Sequence, residues 1–179
     1  MSIRSFNGKT PHCHARVWVD PSAQVIGDVQ LGDDCSIWPG AVIRGDMHFI
    51  EVGQRCSIQD NAVLHITHDS TFNPGGFALT LGDDVTVAHQ ATLHGCHIGS
   101  RVMIGMQAII MDGCEVGDDS IIAAGSLVPP GKKLAGGFLY RGRPATAVRR
   151  LTTRELDFLP YVAGNYVKLK DQYLAEAGQ

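Results

Sequence analysis

The stretch "VAHQATLHGC", residues 87 to 96, sets His89 and His94 five residues apart, and His65 lies upstream in "AVLH". Imidazoles suit zinc, iron or cobalt, so three histidines invite a metal-site reading. A helix would need ligands four apart to stack them on one face. A strand would need an even separation, because side chains alternate between its two faces. Five fits neither, so the elements that hold these residues must be of another kind.

A repeat supplies those elements. "LGDDCSI" (31–37), "VGQRCSI" (52–58), "LGDDVTV" (81–87), "IGSRVMI" (98–104) and "VGDDSII" (116–122) each start on an aliphatic residue followed by Gly, and reach the next aliphatic six residues later. Each continues with a second hexad, and Val19, Val25 and Leu31 keep the same step upstream. Short residues recur four after the anchors: Cys35, Ala41, Cys56, Ala62, Ala91, Ala108, Ser120 and Ser126. Hexapeptide periodicity belongs to a parallel β-helix. The aliphatic anchors point inward, the short residues sit where the coil is narrow, and Gly is expected where a corner needs unusual dihedrals.

Three hexads close one triangular turn. Leu64 to Leu81 spans 17 residues instead of six, which marks an insertion over 66–80, and Ile43 to Val52 spans nine. With these excesses removed, Arg44, His65 and His94 are each 18 residues apart and form one column on three successive rungs. Rungs lie about 4.8 Å apart, so His65 and His94 can share a ligand. His89 follows anchor Val87 and sits nearly one triangle side before His94. That is about 16 Å along the strand and around a corner, against Zn–N bonds of about 2 Å. One chain cannot bring all three to one ion, but His89 of a second copy can join His65 and His94. A three-sided prism suggests a homotrimer with one such site per interface.

The 179 residues suit one domain with a real core. Net charge is −3 with no basic stripe, which argues against nucleic acid as a partner. No apolar run is long enough for a membrane helix. The opening "MSIRSFNGKTPHCH" lacks the apolar core of a signal peptide, and we expect a cytoplasmic protein. Five cysteines without a CxxC read as free, mostly packing thiols, and Trp18 and Trp38 read as packing residues. After Val128 the repeat gives out in a Pro/Gly-rich exit loop. "TTRELDFLPYVAGNYVKLKDQYLAEAG" then reads as helix, with Thr152 and Glu155 forming a capping box. Pro160 is expected to kink or split it. We therefore divide the chain into a β-helix over 1–140 and an exit loop with a C-terminal helix, packed on the prism, over 141–179.

"VIRGD", "CSIQDNAVLH" and "VAHQATLHGC", set in a hexapeptide repeat before a C-terminal helix, resemble the gamma-class carbonic anhydrases over roughly residues 15 to 175. The resemblance implies an all-β, left-handed parallel β-helix with a C-terminal α-helix, assembled as a trimer. It implies Zn2+, with Fe2+ or Co2+ as alternatives, held by His65 and His94 of one chain and His89 of the next. Arg44 and Asp46 match the family's RGD pair at the interface. Gln59 matches the residue near the metal's solvent, and Asp60 its ionic partner region. Tyr161 or Asn165 would lean toward the pocket from the helix. Where the archetype has acidic residues, this chain has Met47 and His68.

Three neutral imidazoles leave zinc an open position, and water there ionises near neutral pH. The implied reaction is reversible hydration of CO2 to bicarbonate. His68 is a candidate proton relay, since histidine ordinarily titrates near pH 6.5. Other readings stay open. A hexapeptide acyltransferase would share the repeat and the "GRPA" exit (142–145) and use one histidine as base. A metal-bearing scaffold with little activity, or a thioesterase using the same site, would share the histidines.

Overall fold

A six-residue step lets a chain run two or three residues along one face, turn, and start the next. The computed structural model, which describes residues 2–178, is built this way: a left-handed parallel β-helix carrying one C-terminal helix. The first face stacks Trp18–Val19, Ser36–Ile37, Ser57–Ile58, Thr86–Val87, Met103–Ile104, Ile121–Ile122 and Phe138–Gly142 in parallel register. The second aligns Val25, Ile43, Leu64, Leu93, Ile110 and Val128. The third aligns Leu31, Val52, Leu81, Ile98, Val116 and Leu134. These anchors meet along the axis as one continuous core. Burying each such side chain contributes about 1.5–3 kcal/mol. The eight short residues expected inside, from Cys35 to Ser126, are all buried.

Three expectations need correction. The coil does not give out at Val128: Lys133–Leu134 and Phe138–Gly142 add further strands. An antiparallel partner, Ala145–Arg150, then closes the end. Gly40, Gly95, Gly113, Gly125 and Gly131 carry the positive φ expected of corner glycines, but the glycines directly after the anchors do not. A Cβ on Gly53 would lie 2.5 Å from the carbonyl oxygen of Gly82 on the next rung, so the glycine permits close approach of backbones. Positive φ falls instead on Asp34, Arg55, Asp84, Arg101 and Asp119 at the same corner. Their side chains form a ladder in which Arg16 meets Asp34, Arg55 meets Asp84 and Arg101 meets Asp119.

The third correction concerns Pro160, which does not split the helix into two. Thr153–Glu176 is continuous, started by the Thr152–Glu155 capping box. Proline orphans only the carbonyl of Leu156, on an exposed turn where water can satisfy it. Leu159 and Ala163 bury against the prism on either side of it. Tyr173 packs on Trp18 and Trp38 at ring separations of 5.6 and 5.2 Å. Lys170, with no exposed surface, reaches Asp34 at 2.8 Å. Leu156, one turn before Pro160, is exposed.

The helix covers only the first face. On the second, Val42, Val63, Ile109 and Leu127 point outward with no element of the chain over them, and Val63 is 37% exposed. Among the described residues no helix is long and apolar enough to cross a membrane.

Candidate metal centre

The column expected from spacing is present. Ile43 aligns with Leu64 and Leu64 with Leu93, so Arg44, His65 and His94 follow each other on successive rungs, and His65 pairs with His94 in register. The nine-residue step is absorbed in one long strand, Val42–Val52, whose register shifts where Gly27 passes to Val29 on its neighbour. The 17-residue step is a loop closed at its root by a bridge between Thr67 and Phe77.

His65 Nδ1 faces His94 Nε2 at 3.0 Å. The far nitrogen of each ring lies on an aspartate: His65 Nε2 is 3.0 Å from Asp46 Oδ1, and His94 Nδ1 is 2.7 Å from Asp112 Oδ1. Asp46 is gripped in turn by Arg44. Burial raises the Asp46 pKa, but hydrogen bonds from Arg44 and His65 outweigh it and leave the carboxyl below its ordinary range. Burial lowers the pKa of His65, opposed by Asp46 and reinforced by the charge of Arg44. Asp46 is thus an anion beside a neutral ring. An ionised carboxylate only accepts hydrogen bonds, so His65 carries its proton on Nε2, and the same logic puts the proton of His94 on Nδ1. Both facing nitrogens then present lone pairs.

His89 sits elsewhere on the same chain. Its Nδ1 is 2.9 Å from Asp60 Oδ2, on a neighbouring rung. The ring lines a cleft of about 360 Å³ between the first face and the helix, together with Gln59, Met103, Phe158, Tyr161 and Asn165. Gln59 is buried there and Tyr161 largely exposed. Among the described residues, no three His, Cys, Asp or Glu side chains of one chain converge on a point. His68 lies exposed on the inserted loop.

Every one of the three histidines therefore has an aspartate behind it. Sequence reasoning singled out Asp46 and Asp60 but missed Asp112. The signal was available: Asp112 follows His94 by 18 residues, one turn of the coil. It also missed Thr67, whose hydroxyl donates to Asp112 Oδ2 at 2.9 Å.

The donor set fits a metal. Two neutral imidazole lone pairs 3.0 Å apart repel unless a cation or proton lies between them. Carboxylates on the far nitrogens are the usual support of metal-bound histidine.

The chain is similar to known hexapeptide-repeat proteins. The family model "Bacterial transferase hexapeptide (six repeats)" matches residues 10–45 and 95–130. The chain is 50% identical to "Protein YrdA" of Escherichia coli strain K12, across 99% of this chain and 96% of that protein. It is 42% identical to a carbonic anhydrase of Geobacillus kaustophilus, over 96% of this chain and 90% of that one. It is 40% identical to the mitochondrial gamma carbonic anhydrase 2 of Arabidopsis thaliana, over 94% of this chain and 60% of that one. A crystal structure of a hexapeptide transferase family protein from Anaplasma phagocytophilum superposes with a TM-score of 0.88 at 37% identity, covering 96% of this chain and 98% of that one. The chain belongs to the gamma carbonic anhydrase family of hexapeptide-repeat proteins, a family whose members imply a metal cofactor.

Proposed function

We propose that the protein hydrates CO2 reversibly to bicarbonate at a metal shared between subunits of a homotrimer. His65 and His94 of one subunit and His89 of its neighbour would hold the ion, with zinc first and iron or cobalt as alternatives. The observation that carries this reading is the pair of imidazoles with facing lone pairs, each backed by an aspartate. The uncovered apolar face beside them, with Val42, Val63, Ile109 and Leu127, supports the trimer.

When bound, the metal supplies a Lewis acid that makes hydroxide available near neutral pH. The chain's own residues do the rest. Asp46, Asp112 and Asp60 hold the three rings in the tautomer that leaves a lone pair free. Arg44 keeps Asp46 anionic and in place. Gln59 has one amide donor group and one acceptor to orient CO2 or bicarbonate in the cleft. Phe158 and Tyr161 wall that cleft. Hydration releases one proton per bicarbonate, and His68 on the exposed loop is the relay that passes it to buffer. Replacing His68 by Ala should slow turnover in dilute buffer and leave it unchanged in concentrated buffer.

Stopped-flow CO2 hydration on metal-quantified protein tests the reading, with His89→Ala as control. Turnover in wild type and its loss in the variant are expected. Stoichiometric metal with no hydration would leave a metal-bearing scaffold or a thioesterase using the same site.

A second reading has its own observation. The His89–Asp60 pair beside the cleft is a positioned base of the kind a hexapeptide acyltransferase would use. It predicts acetyl-CoA turnover that survives chelation and tolerates His65→Ala.

A further inference from the structure

We propose that Thr67, at the root of the inserted loop, is a positioning residue for the metal site: its hydroxyl fixes Asp112, and Asp112 fixes the ring of His94. The proposal rests on the metal-site reading above. Thr67 Oγ1 donates to Asp112 Oδ2 at 2.9 Å, while Asp112 Oδ1 accepts from His94 Nδ1 at 2.7 Å. Both carboxylate oxygens are engaged, so the group cannot rotate without breaking one bond. His65 is served differently, by an aspartate held from its own strand by Arg44. For His94 the second support comes from the loop.

The loop root is itself fixed. Thr67 donates its amide to Phe77 at 3.1 Å and accepts the amide of Phe77 at 2.9 Å, which closes the insertion into a clasp. Phe77 lies over two glycines of the coil. A Cβ on Gly95 would fall 2.6 Å from Phe77 Cβ and 2.3 Å from Asp112 Oδ1, and one on Gly113 would fall 3.1 Å from the Phe77 ring. Gly95, directly after His94, leaves the room that Asp112 and Phe77 occupy. The insertion thus reaches the site through one hydroxyl, and a displacement of the loop would be transmitted to the orientation of a metal ligand.

Supports of this kind are commonly worth 10–100-fold in metal affinity. Thr67→Val keeps the shape of the side chain and removes the donor; Thr67→Ser keeps the donor and removes the methyl. Co2+ affinity of the metal-stripped assembly, measured against a competing chelator, should fall about ten-fold in Thr67→Val and recover in Thr67→Ser. Nitrogen NMR of the metal-free protein should show His94 protonated on Nδ1 in wild type and Thr67→Ser, and a tautomer mixture in Thr67→Val. Wild-type affinity and tautomer in Thr67→Val would overturn the proposal, as would equal loss in both variants, which would assign Thr67 to packing through its methyl. His94→Ala separates this from the site itself: if that variant binds Co2+ like wild type, the metal-site reading fails. If it loses the metal while Thr67→Val does not, only the role of Thr67 fails.

Discussion

His65 Nδ1 and His94 Nε2 face each other at 3.0 Å while aspartates occupy the opposite nitrogens of both rings. Two rungs of a parallel coil place the rings, and two carboxylates decide which nitrogen is bare. Neither ring can satisfy the other while both are neutral.

Asp46→Asn should reverse that logic at one ring. An amide can present its NH2 to His65 Nε2, which moves the ring proton to Nδ1 and lets the two imidazoles hydrogen-bond each other. Metal affinity is expected to fall about 10–100-fold, while the metal-free protein keeps its thermal stability to within about 1 kcal/mol. Chelator competition and calorimetry check the two halves. Unchanged affinity would mean that Asp46 does not set the tautomer.

Two glycine substitutions should move stability in opposite directions. Gly53→Ala drives a methyl to 2.5 Å from a backbone oxygen of the next rung, and should cost about 1–3 kcal/mol or more. Gly164→Ala lies within the helix with open space around it, and should gain about 0.5–1 kcal/mol. Denaturant midpoints with unchanged slopes would read both.

Acid sensitivity should map to the charged corner. Asp34 is held at about 2 by its hydrogen bond from Arg16, against the effect of burial and with help from Lys170, below an ordinary value of 3.8. Between those values the unfolded chain binds more protons than the folded one, so stability falls as the pH is lowered. The contribution is full above about pH 4 and lost toward pH 2; it amounts to about 1–2 kcal/mol, since the side chain is 12% exposed. Asp34→Asn should remove this part of the acid dependence. Asn tolerates the positive φ at this position, so backbone strain does not confuse the comparison. Stability curves for the two proteins that fall in parallel from pH 4 to 2 would contradict it.

Much of this was legible in the chain because a coil turns spacing into position. The aliphatic step gave the three inward columns, and removal of two length excesses put His65 under His94. The Thr152 cap was visible because its chemistry is local. The added strands at Lys133–Leu134 and Phe138–Gly142 were not, because Pro129 and Pro130 look like an ending and Tyr140 replaces the usual aliphatic anchor. At the corner after the Gly-bearing anchors the dihedrals were hidden because Asp and Arg carry the positive φ and offset its cost with ion pairs, whereas Gly40, Gly95, Gly113, Gly125 and Gly131 carry it at other corners as expected. Thr67 escaped notice because a hydroxyl behind a ligand leaves no periodic trace of its own, and Asp112 because its one-turn step from His94 lies outside the histidine-bearing stretches.

The account turns on a site that takes ligands from two subunits. His89→Ala and His94→Ala, each purified and stripped of metal, should separately bind no zinc stoichiometrically and hydrate no CO2. Unfolding, mixing in equal amounts and refolding should rebuild sites wherever an intact His65–His94 pair meets an intact His89, which random assortment in a cyclic trimer makes about one quarter of all interfaces. Zinc content and turnover near that fraction are the predicted result. No recovery in correctly folded mixed assemblies, or full metal content in either variant alone, would contradict it.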